Sequence, residues 1–190
     1  FRILTDAGAN MMQYSRRRWM AALIVPALAG IAVTQLRAKP ADVKFNDAPI
    51  LAFGTMRGSL PHLDINGNTS AGAPWVIAGS EGLLKEDGDI FIKVRGLVLA
   101  QSVTPGGGTN PVHNFRAIVS CTTLINGVQE EINITTGSFP ADAKGNCVIH
   151  DQVTLPDPCY APIVFVGPAP ADVVPDTDIP GGTWFAVTGN

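Results

Sequence analysis

The chain has 190 residues, 13 Lys and Arg, 16 Asp and Glu, and a formal net charge of −3. Five of the 13 basic residues but only one of the 16 acids precede Lys39, so the remainder holds 8 basic against 15 acidic side chains. That balance leaves no basic stripe to follow a phosphate backbone and speaks against nucleic acid as a partner, while the length beyond Lys39 suffices for one domain with a real core.

The first methionines are Met11 and Met12, so residues 1–10 read as upstream sequence or a fragment edge. Arg16, Arg17 and Arg18 are followed by an apolar run over residues 21–33. A basic region and then a short apolar one is the pattern of a secretory signal. The run is shorter than the ~20 residues of a membrane-spanning helix, and Pro26 and Gly30 interrupt it. Small-x-small cleavage patterns end at Ala29, Ala32 and Ala38. Residues 15–20, Ser-Arg-Arg-Arg-Trp-Met, resemble the twin-arginine export signal, with Trp19 and Met20 in its Phe and Leu positions and Ala21 where Lys is common. An ordinary secretory signal and an uncleaved anchor are the alternatives. The expected layout is a signal peptide at 11–38, an extended lead-in at 39–47 and one domain over 48–190, exported to the periplasm, cell envelope or medium.

From residue 48 onward the chain reads as strand after strand. Residues 50–57 (ILAFGTMR) and 75–84 (WVIAGSEGLL) are the first two candidates. Residues 89–100 (DIFIKVRGLVLA) form the central one: Ile90, Ile92 and Val94 alternate with Lys93 and Arg95, the period of a strand with one dry and one wet face. The apolar phase shifts at Gly96, which predicts a bulge or bend. In residues 115–125, Phe115, Ala117, Val119 and Cys121 share one face, and Arg116, Ser120 and Thr122 the other. Asn126-Gly127 then predicts a tight hairpin, because both turn residues must take positive φ, and residues 128–136 return. Residues 147–155, 160–166 and 183–188 bring the count to about eight. With no sustained helical pattern, the sequence predicts an all-β fold, a single antiparallel β-sandwich of immunoglobulin-like or jelly-roll-like kind. Residues 101–112 and 167–182 are long Pro/Gly-rich loops, of the sort that are functional or mobile.

Few residues suggest chemistry. Ala78-Gly79-Ser80-Glu81-Gly82 is one residue from the G-x-S-x-G elbow, which would make Ser80 a nucleophile, but a hairpin turn follows where the elbow needs a helix. Asp64, Asn66 and Asn68 place three oxygen side chains at alternate positions, as calcium loops do; the glycine of that loop falls at the wrong place and Trp75 stands where its carboxylate belongs, so a polar turn is the plainer reading. His62, His113 and His150 lack zinc spacing. Asp151 falls in phase with Cys147, Ile149 and Val153, an acid on an inward face that would pair with Arg116 or Lys144 or carry out catalysis. Trp75 and Trp184 would stack on a sugar if exposed and form core if not.

Several segments together resemble a group of secreted bacterial all-β proteins with no assigned activity. They are Ala73-Pro74-Trp75-Val76-Ile77, Arg95-Gly96-Leu97-Val98-Leu99, Gly108-Thr109-Asn110-Pro111-Val112, Val119-Ser120-Cys121, Leu155-Pro156, Pro158-Cys159-Tyr160-Ala161-Pro162-Ile163-Val164-Phe165-Val166 and Trp184-Phe185-Ala186-Val187-Thr188-Gly189. The resemblance implies an exported sandwich and no particular chemistry. By position alone, Cys121–Cys159 and Cys147–Cys159 are both open as disulfides in an oxidising compartment, with Cys147 otherwise a small buried thiol. The resemblance implies Cys121–Cys159 and marks Cys147 as a departure. The expected function is a non-catalytic secreted or surface-associated binding or structural module, with a cell-wall, polysaccharide or protein partner and no cofactor. A calcium- or polysaccharide-binding module, through Asp64, Asn66 and Asn68 or Trp75 and Trp184, is the first alternative. An exported hydrolase using Ser80 or Asp151 is the second.

Overall fold

Alternation such as that of Ile90, Ile92 and Val94 gives each strand one face to bury, and facing sheets bury it. The computed structural model describes residues 48–169 and 182–189, and these form strands without a helix. In chain order they are β1 (Pro49–Phe53), β2 (Arg57–Gly58), β3 (Asp64–Ile65), β4 (Asn68–Ser70), β5 (Trp75–Val76), β6 (Gly79–Lys85), β7 (Asp89–Arg95), β8 (Val98–Leu99), β9 (Asn114–Ile125), β10 (Val128–Thr135), β11 (Phe139–Pro140), β12 (Cys147–Gln152), β13 (Tyr160–Pro168), β14 (Thr183–Trp184) and β15 (Ala186–Val187). All lie in one compact unit, Ala41–Asn190. The expected signal peptide, the lead-in and most of the second long loop lie outside the described residues.

Two antiparallel sheets form the sandwich. One has the order β1-β6-β7-β12; the other runs β10-β9-β13-β15-β2, with β11 also on β9. Leu84, Ile90, Ile92, Val94 and Ile149 of the first sheet meet Phe115, Ala117, Val119, Val164 and Val166 of the second in one buried cluster. Each of these side chains other than Ala117 contributes about 1.5–3 kcal/mol by leaving water. As expected, β7 is an interior strand with its isoleucines inward, and Asn126 (φ 53) with Gly127 (φ 80) closes the β9–β10 hairpin in unbroken register.

Two expectations are corrected. Four of the predicted strands are each divided between sheets. Residues 50–57 supply β1 to the first sheet and β2 to the second, and residues 75–84 supply β5, which pairs with β8, and then β6. Residues 183–188 split into β14 and β15 at Phe185, while the predicted bend at Gly96 (φ 63) carries the chain from β7 to β8. The second concerns the face of β9 that carries Arg116, Ser120 and Thr122: it is covered, with Ile118 and Ser120 fully buried and Arg116 and Thr122 half-buried. A small third sheet, β14-β4-β3, covers that face, and Ile118, Phe165 and Trp184 form a second cluster beneath it. A strand covered on both sides buries polar side chains along with apolar ones, and Ser120 is satisfied there by Asn66 Nδ2 at 3.1 Å.

Candidate functional site

The Asp64–Asn68 segment is a hairpin built by Asn66 (φ 53) and Gly67 (φ 70), the same Asn-Gly turn as in β9–β10. The Asp64 carboxylate accepts from the Gly67 amide at 3.3 Å and the Thr69 hydroxyl at 3.2 Å. Asn66 Nδ2 donates to Ser120 Oγ at 3.1 Å. Asn68 is fully buried: its Nδ2 donates to Asn133 Oδ1 at 2.8 Å, and its Oδ1 accepts from the Gly182 amide at 2.8 Å. The three side chains proposed for calcium thus turn to different partners. Among the described residues no group of three or more His, Cys, Asp and Glu side chains could hold a metal ion.

The tryptophans are core, which corrects the stacking platform. Trp75 is 5% exposed and lies parallel to Phe185, ring centroids 3.8 Å apart. Trp184 is 1% exposed, packs on Phe165 at 5.4 Å and donates its indole N–H to the Asn68 carbonyl at 3.0 Å. Both sit where the chain changes sheet, so their rings fill the corners of the sandwich.

Ser80 is buried near the start of β6 opposite Val94, and its Oγ has no hydrogen-bond partner among the described residues. No strand–turn–helix surrounds it; β6 runs on to Lys85. Asp151 is half-buried, and its expected pairing with Arg116 or Lys144 is replaced by backbone bonds. Its Oδ2 accepts from the Gly137 amide at 2.7 Å and its Oδ1 from the Gln152 amide at 2.9 Å, which ties β12 to the chain leaving β10. His150 lies instead on the outer face, 3.2 Å from Asp89. Asp89 also receives Lys85 Nζ at 2.7 Å. That hydrogen bond, with His150 contributing less, holds the Asp89 carboxyl below its ordinary value.

The cysteines divide as the resemblance implied. Cys121 on β9 and Cys159 just before β13 are joined by a disulfide with Cα atoms 5.0 Å apart. Cys147 is a free, buried thiol, and burial pushes its pKa up to about 11, with the Asp142 charge adding to the rise. Beside the disulfide, a cleft of about 540 Å3 opens between the β6–β7 turn and the segment leading into β13; Ile50, Glu86, Asp87, Asp157, Cys159 and Tyr160 are among its walls. Sequence reasoning missed this cleft, because its parts come from distant turns. It also missed the outer face of the first sheet, where Phe91 meets His150 edge-on at 6.0 Å, although the alternation in β7 already pointed Phe91 outward with Lys93.

The fold and these sites define a disulfide-linked, sandwich-like all-β protein. Comparison with protein-family models, with curated proteins and with solved structures found no match.

Proposed function

We propose that this chain is an exported, non-catalytic β-sandwich module that binds a partner at or outside the cell surface. What carries the reading is the use to which its polar residues are put. Asp151 and Asn68 hold backbone amides of distant segments, and Ser80 is sealed in the sheet interior. The Cys121–Cys159 bond fits an oxidising compartment, the start of the chain resembles an export signal, and the acidic balance beyond Lys39 disfavours nucleic acid.

Two experiments test this. A fluorophosphonate probe leaves the native protein unlabelled; modification at Ser80 would restore the hydrolase reading. Replacing Arg16 and Arg17 with Lys leaves precursor in the cytoplasm, whereas undiminished secretion of that variant removes the twin-arginine route. For the calcium alternative, the melting temperature is the same with and without EDTA, and a drop in chelator that Asp64→Ala abolishes would move the ligand to the β3–β4 hairpin.

A further inference from the structure

We infer that the outer face of the β1-β6-β7-β12 sheet is the docking surface for an acidic polysaccharide; this rests on the binding reading above and gives it a ligand class. Strand register sets Ala52, Leu83, Phe91 and His150 side by side across all four strands. The next row holds Glu81, Lys93 and Val148, and Arg95 follows. Leu83 and Phe91 are half-buried and the others exposed, Val148 to 51% and the His150 side chain to 68%. The result is a flat apolar and aromatic strip, about 15 Å across four strands, bordered by charge.

The sign of that charge selects the partner. Lys85, Lys93 and Arg95 share the face with two acids, Glu81 and Asp89, whereas the other described residues hold three cations and eight acids. A cationic face on an otherwise acidic domain attracts anionic ligands and turns the domain toward them. Glu81 is shared between Arg95 at 3.0 Å and Lys93 at 3.8 Å. One carboxylate therefore serves two cations, and a uronate carboxylate arriving between them completes the pairing. The backbone groups of β6 and β7 are spent on their neighbours, so this face cannot accept an added strand as a sheet edge does. Recognition falls to side chains. A sugar ring offers its C–H face to Phe91, Leu83 and Val148 while its acid reaches Lys93 and Arg95.

The test is calorimetric titration of the full chain with polygalacturonate, dextran, polyglutamate and anionic lipid vesicles. Polygalacturonate binds, and more weakly as salt is raised. Lys93→Gln and Arg95→Gln each weaken binding roughly tenfold. Glu81→Gln strengthens it by releasing both cations, and Phe91→Leu weakens it with little change in melting temperature. Equal binding of polyglutamate or of vesicles overturns the inference, since charge alone would then suffice, and so does unchanged affinity in Arg95→Gln. Polymer that is bound and also shortened keeps the face and defeats the non-catalytic reading. Polymer neither bound nor shortened defeats the face and leaves that reading in place.

Discussion

Asn68 joins three separated parts of the chain through one side chain and one carbonyl: the tip of its own hairpin, Asn133 on β10, and the Gly182–Trp184 segment. Buried polar groups left without partners cost more than the bonds themselves contribute. Asn68→Ala strands the Gly182 amide and the Asn133 amide oxygen, and it lowers the free energy of unfolding by about 2–4 kcal/mol in urea denaturation. Asp151→Ala releases only the more exposed Gly137 and Gln152 amides, so its cost is about 1 kcal/mol. Cys147 makes a prediction in pH. Its thiol titrates near 11 in the fold against an ordinary 9.0. The unfolded chain therefore gives up this proton first as pH rises. Stability from this group is intact below about pH 9 and is lost progressively toward pH 11; Cys147→Ala shows a flatter fall over that window when both proteins are unfolded at pH 8 and pH 10.

Elements differ in how plainly the sequence announces them. Strand β7 and the β9–β10 hairpin were legible because one face is wet and the turn needs two positive φ angles. At Asn66-Gly67 the polar turn is legible and the structure has it, but the strands it joins are not, because β3 and β4 are two and three residues long and too short to alternate. Segments 50–57, 75–84 and 183–188 were legible as extended chain but not as two strands each, since sheet membership depends on partners far away in sequence. The burial of Ser120 was hidden for the same reason: the cover over β9 comes from β4 and β14. Of the site, the inward phase of Asp151 was visible and its amide partners were not. Two glycines separate local from tertiary demands. A Cβ at Gly127 meets nothing within 4 Å, so Gly127→Ala costs only the left-handed φ of 80, about 1 kcal/mol. A Cβ at Gly58 falls 2.2 Å from the Trp75 carbonyl oxygen, so Gly58→Ala costs about 3 kcal/mol or more. Thermal melts that rank the two variants alike would remove the close approach of β2 and β5 as its cause.

For the whole molecule, the Cys121–Cys159 bond closes a loop of 38 residues that includes β10, β11 and β12. By chain entropy it is worth about 3–4 kcal/mol. Cys159→Ser loses about that much in oxidising buffer and matches the reduced parent, and non-reducing peptide mapping of the parent recovers the two cysteine peptides together, with the Cys147 peptide free. Beyond the crosslink, the path of the chain has its own effect. Among the described residues it leaves one sheet for another four times within one to three residues, between β1 and β2, β5 and β6, β7 and β8, and β14 and β15. Such a molecule is stitched rather than stacked. Pulling or prising one layer loose tugs on the next, so amides of β7 and β9 exchange with deuterium at one shared opening free energy instead of sheet by sheet. A protease then finds no half-open form to cut, and endurance against it comes from the route of the thread as much as from the strength of any knot.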